Sequence, residues 1–358
     1  MFQRSNSLSL TAALVAGLSC VFASVALAAT ITGTPGNDKI TGTPGNDTIN
    51  ALAGNDRVRA LAGDDLVNAG PGRDRVQAGA GSDTVNGGFG PDKLLGREGN
   101  DKLNGEQGRD RIRGGLGDDT LRGGGGVAGR RADRMHGNAG NDTVFGGLGA
   151  DFITGNLGND VLNGGGGKDR VFGGPGNDAI NGGPGVAQRS PRRVNRPNRP
   201  GRAAFGDRLH GGDGNDMING KDGRDLISGG TGDDVSTGGA GNDRIFANLG
   251  QDKSFGGDGN DDLWALARGD VMGTADPNGD ALTGGNGDDT FHVRDGEVDR
   301  VDCGAGNDRV IADQYDVIVD ATSTDANGSC ENVVRSSIPD SDAAENQVQA
   351  PAEDRKES

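Results

Sequence analysis

Between Gly36 and Leu121 one nine-residue phrase is read ten times without losing phase: GNDKI, GNDTI, GNDRV, GDDLV, GRDRV, GSDTV, GPDKL, GNDKL, GRDRI and GDDTL. An aspartate always takes the third place, and an aliphatic residue follows two positions later. A period of nine is shorter than any helical repeat and points to stacked, very short strands in a parallel β-helix or β-roll. The aspartates fall at Asp38, Asp47, Asp56, Asp65, Asp74, Asp83, Asp92, Asp101, Asp110 and Asp119. The ladder resumes at Asp133, Asp142, Asp151, Asp160, Asp169 and Asp178, and again at Asp207, Asp216, Asp225, Asp234, Asp243, Asp252 and Asp261. Weaker copies stand at Asp280, Asp289, Asp299 and Asp308.

Within a repeat, glycine permits the positive φ of a tight turn and leaves backbone carbonyls open, and aspartate adds a hard carboxylate oxygen beside them. Such turns suit a hard cation. Calcium tolerates the variable geometry of stacked loops, whereas magnesium demands a near-ideal octahedron and zinc would need a Cys and His cluster. After the turn, strand alternation sends one aliphatic side chain per repeat inward, from Ile40, Ile49 and Val58 to Ile112 and Leu121. One such side chain per nine ordered residues buries too little apolar surface to offset the chain entropy. The chain also carries 53 acidic against 36 basic residues, a formal charge of −17. Those carboxylates repel one another until a cation arrives, so the expectation is a disordered apo chain that folds cooperatively on binding calcium.

The phrases GGLGDDTLR, GGLGADFIT, GGPGNDAIN and GGDGNDMIN resemble the nonapeptide GGxGxDxUx of the RTX, or hemolysin-type, calcium-binding family, with U a large aliphatic residue. The resemblance implies a right-handed parallel β-roll or β-helix solenoid, with two nonapeptides per coil and calcium between the turns of neighbouring coils. It makes multiple calcium ions the expected cofactor. The implied ligands are the ladder aspartates from Asp38 to Asp119, then Asp142 to Asp178 and Asp216 to Asp261, with Asp289 and Asp308. About 27 repeats then make roughly 13 or 14 coils, some 65 Å long at about 4.8 Å per layer.

Residues 1–28 read as a secretory signal peptide: Arg4 precedes an apolar run, and Ala26-Leu27-Ala28 supplies a small-x-small cleavage site. A secreted, extracellular and possible cell-surface location follows, with no transmembrane segment after cleavage. Residues 29–125 form the first repeat block, 137–185 the second and 207–263 the third, with degenerate repeats at 264–310. Cys303 and Cys330 remain after cleavage, and an oxidising exterior favours their pairing over two buried thiols. The segment Val301–Asp320 with Cys330–Val333 resembles the terminal cap of secreted actinobacterial members of this family, which implies a small disulfide-linked β cap at 311–335. The acidic tail, 336–358, is expected to be disordered.

Two insertions, 126–136 and 186–206, break the ladder at equivalent points, and each restarts with Asp-Arg-apolar-His-Gly. Each is read as replacing a calcium turn with a basic loop. The longer carries Arg189, Arg192, Arg193, Arg196, Arg199 and Arg202, an expected contact for an anionic cell-surface or matrix polymer, although a solvated arm serving the protein's own acidic flank is the simpler account. Net charge and the scarcity of aromatic residues argue against specific nucleic-acid recognition. Leu52 and Leu61 replace the second turn glycine, and Ser236 and Ser254 replace core aliphatics, so those coils are expected to bind late or fray. Trp264 is read as marking a packing transition.

His136, His210 and His292 sit in no recognisable catalytic arrangement, and acidic pairs recur in every coil instead of marking one dyad. The chain is therefore read as a calcium-folded structural, surface or adhesive element and not an enzyme. The alternative is a calcium-stabilised polysaccharide lyase or epimerase on a β-helical scaffold.

Overall fold

The computed structural model describes residues 28–125, 132–184, 206–265, 279–319 and 329–336. The expected signal peptide up to residue 27, most of both basic insertions and the tail beyond residue 336 lie outside these.

Glycine-rich turns alternate with strands of two to seven residues throughout. Odd-numbered strands, from β1 (Thr30–Thr32) to β29 (Val317–Ile318), form one fifteen-stranded sheet, and even-numbered strands, from β2 (Lys39–Thr41) to β30 (Asn332–Arg335), form the other. Every pairing is parallel, so the molecule is an all-β solenoid in which two nonapeptides close one coil. The register places core residue on core residue, Ile40 against Val58 in one sheet and Ile49 against Val67 in the other. The residue two after each ladder aspartate is buried between the sheets and its two neighbours point outward, giving the exposed-buried-exposed rhythm of β2. The expected inward column from Ile40 to Leu121 is the core. Among the described residues no helix is long and apolar enough to cross a membrane.

The core divides into two clusters, one ending at Ile245 and the other starting at Leu263. Ser236 and Ser254 stand opposite each other in register near that division. Both are buried, and their hydroxyls have no hydrogen-bond partner. Polar side chains at two successive core positions interrupt the apolar column there. Trp264 lies just beyond, stacked on His292 with ring centroids 3.5 Å apart.

At the C-terminal end the sheets continue to the last strands, and Cys303 is bonded to Cys330 with a Cα–Cα distance of 5.4 Å. Both cysteines are buried in the second core cluster.

Candidate metal centre

Each edge of the solenoid carries a column of aspartates, one per coil. The turn folds its aspartate back so that Oδ1 accepts the backbone N–H of the aspartate one coil earlier. Asp56 donates in this way to Asp74, Asp74 to Asp92 and Asp83 to Asp101, at 2.7–2.8 Å. Hydrogen bonds to ionised carboxylates are among the stronger ones, so one oxygen of each ladder aspartate splices adjacent coils together.

The second oxygen has no such role. Oδ2 of Asp74, Asp92, Asp101, Asp142, Asp169 and Asp234, among others, is buried with no hydrogen-bond partner. Leaving a buried polar atom unsatisfied costs about 1–3 kcal/mol, and more for a charged one. Burial is the main force pushing these carboxyls up, partly opposed by the backbone N–H and reinforced by the neighbouring carboxylates. Asp65, Asp74 and Asp83 are raised to about 6. Asp92, Asp101, Asp142, Asp151, Asp169 and Asp178 are raised to about 7.

The surroundings of Oδ2 are backbone. A Cβ placed on Gly164 would meet Asp169 Oδ2 at 2.8 Å and the carbonyl oxygen of Gly182, one coil on, at 2.6 Å. At Gly87 the same two kinds of oxygen, from Asp92 and Gly105, lie at 2.9 and 3.1 Å. Glycine at the first turn position thus leaves open a cradle where a carboxylate and a carbonyl oxygen converge. Among the described residues no three His, Cys, Asp or Glu side chains come together. A cation here would draw on one or two carboxylates supplemented by carbonyls, an all-oxygen set that fits calcium.

The candidate aspartates are not all alike. At the N-terminal end the amides of Thr34 and Thr43 donate to Oδ2 of Asp38 and Asp47, and their hydroxyls reach the same carboxylates. Those two aspartates therefore have protein partners at Oδ2 where Asp56, Asp65 and Asp74, among others, have none. Alanine takes the first turn position at Ala51, Ala60, Ala69, Ala78 and Ala247. This puts a methyl into the cradles of Asp56, Asp65, Asp74, Asp83 and Asp252, each of which lies five residues further on.

The insertions do not break the ladder, contrary to the sequence reading. Asp110 donates to Oδ1 of Asp133 and Asp169 to Oδ1 of Asp207, both at 2.7 Å. The described chain stops at the third turn position, at Gly125 and Pro184, and both sheets keep their register on the far side of each extra segment. Asp280 and Asp299 also sit in the ladder, accepting from Asp252 and Asp280. At the end of one column Glu331 substitutes for an aspartate, its Oε2 accepting the N–H of Asp308 at 2.8 Å.

Sequence reasoning missed a second ladder. The residue before the aspartate is repeatedly Asn or Asp, and its side chain accepts the N–H of its counterpart one coil later. Asn37 accepts from Asn55, Asp64 from Ser82, and Asn100 from Asp118. The recurring GND was the visible signal, and it explains why the first carboxylate of Asp64-Asp65 is structural.

The model of the RTX calcium-binding nonapeptide repeat family matches residues 32–186 in five segments that follow one another without a gap, and 204–263 in two more. The chain belongs to this family. RTX nonapeptide repeats bind calcium, several ions to a protein, and RTX proteins are typically extracellular. The disulfide suits a non-reducing compartment. A search among curated proteins finds no match.

Proposed function

We propose that this RTX protein is exported, folds when it meets extracellular calcium, and serves there as a rigid structural, surface or adhesive element. The observation that carries this reading is the buried, unpartnered Oδ2 repeated along both edges of the solenoid. The ladder aspartates with open cradles, Asp92 to Asp119, Asp142 to Asp178, Asp207 to Asp243, Asp261 and Asp289, hold the ions together with turn carbonyls. Bound calcium supplies the positive charge and oxygen coordination that these stacked carboxylates otherwise lack. The chain's own contribution is to hold Oδ1 on the amide of the preceding coil's aspartate, which aims Oδ2 at the cradle.

We assign no catalytic residue, because the same acidic arrangement recurs in coil after coil. The test is a calcium titration of the mature chain followed by far-ultraviolet circular dichroism, with magnesium as control. A transition from disorder to β structure at millimolar calcium, not reproduced by magnesium, is expected. A chelated sample that kept its full β signal at neutral pH would overturn the reading.

A further inference from the structure

The two flat faces of the solenoid differ in charge. On the even-numbered sheet, the outward residue just before each core aliphatic is Lys39, Arg57, Arg75, Lys93, Arg111 and Arg134 in six successive coils. Strand pairing sets each directly beside the next. At about 4.8 Å per strand the column is roughly 24 Å long. The first five are exposed, and among the described residues none of these five makes an ion pair. Arg59 and Arg113 add charge one position beyond the core residue in the same sheet.

No Asp or Glu occupies either position flanking the core residue from β2 to β22 (Arg244–Leu249) of this sheet. The column continues after Phe152 with Arg170 and Arg208. It ends where Asp262 binds Arg244 at 2.8 Å. In the matching six coils of the opposite sheet, by contrast, the flanking positions are mostly Thr and Asn, with Lys102 and Arg122 as the cations.

Like charges directly opposite each other on paired strands are destabilising. A run of six therefore costs stability in the free protein, and an anion lying along it offsets that cost. The acidic groups that dominate the net charge are concentrated in the turns. Once calcium neutralises those edges, as the folding proposal above requires, the cationic face meets a polyanion with little opposition.

We infer that this sheet face is a docking surface for a linear acidic polysaccharide, laid along the solenoid axis with its anionic groups over successive coils. An extended chain with a charged group on each sugar repeats on nearly the interstrand length. Nucleic acid fits less well, because binding to single strands relies on aromatic stacking. From β2 to β10 (Arg111–Leu116) no aromatic residue stands at these outward positions.

The test measures binding of a defined-length chondroitin sulfate oligosaccharide to the full mature chain in calcium, with circular dichroism on the same samples. Neutral dextran of equal length is the control ligand. Arg75→Gln with Lys93→Gln removes two adjacent charges from the column, and Lys102→Gln with Arg122→Gln removes two from the opposite face. Tenfold or greater weakening in the first double variant, with less than twofold in the second, is expected. Equal effects of the two pairs would overturn the inference, as would wild-type binding no tighter than to dextran. Tighter binding of a single-stranded oligonucleotide to the same column would overturn it in favour of nucleic acid. Failure of calcium folding itself would be read separately, in the dichroism.

Discussion

The backbone N–H of Asp101 donates to Oδ1 of Asp119, 2.8 Å away and one coil further on, while Oδ2 of Asp119 is buried without a hydrogen-bond partner. One carboxylate thus has two separable tasks, splicing coils through one oxygen and presenting the other to a cation. Asp119→Asn keeps an acceptor for the Asp101 amide and removes the charge, whereas Asp119→Ala removes both. Both variants should bind less calcium, as counted by elemental analysis. The alanine variant should lose a further 1–3 kcal/mol or so in urea unfolding with calcium present, because a buried amide is orphaned. A full calcium complement in Asp119→Asn would remove this residue from the ligand set.

Acid should partly replace calcium. Burial raises many of the ladder carboxyls, Asp74, Asp101 and Asp169 among them, from the usual carboxylate value to about 6 or 7 in the folded state. Between the unfolded value and those raised values the fold binds more protons than the open chain, so its stability falls as pH rises through that window. The chelated protein should therefore show β structure near pH 4–5 and lose it on approach to pH 7, where calcium restores it. Circular dichroism of the chelated chain across this range is the check. A β signal that instead grew with pH would contradict the assigned burial.

Among the described residues, eight that are not glycine occupy the left-handed region, all at the second turn position, Leu61 among them at φ 94°. A Cβ is unfavourable there by about 1–2 kcal/mol. Leu61→Gly should raise stability in calcium by somewhat less than that, since glycine also loosens the unfolded chain. Thermal unfolding at fixed calcium measures it, and a lower melting temperature would mean that the Leu61 side chain contributes more than its backbone strain costs.

Ser236 and Ser254 bury hydroxyls with no partner at positions where other coils hold an aliphatic side chain. Ser236→Val and Ser254→Val should each stabilise by about 1–2 kcal/mol, since each replaces an unsatisfied polar atom with apolar contact. The double variant should also join the two core clusters. Hydrogen exchange across Met217–Trp264 would show this as slower, more uniform protection, and unchanged exchange would speak against a core break at these serines.

The sequence by itself determined the solenoid, its inward aliphatic column, the phase of the aspartates and the class of cation they suit. Each of these is a property of one repeat, copied along the chain. The partners of Asp38 and Asp47 were not legible, because the threonine amides and hydroxyls that reach those carboxylates depend on how the turn folds back. Only the tertiary structure decided which oxygen of each aspartate splices coils and which stays open, how the ladder passes through the insertions, and that Asn37 and its counterparts form a second ladder. The same holds for the row from Lys39 to Arg134. Read at a period of nine these residues alternate with Thr, Leu and Lys and look unremarkable. A coil closes only after two repeats, so a residue's neighbour across the sheet lies eighteen positions away, and like charges become a surface only when the chain has wound back upon itself.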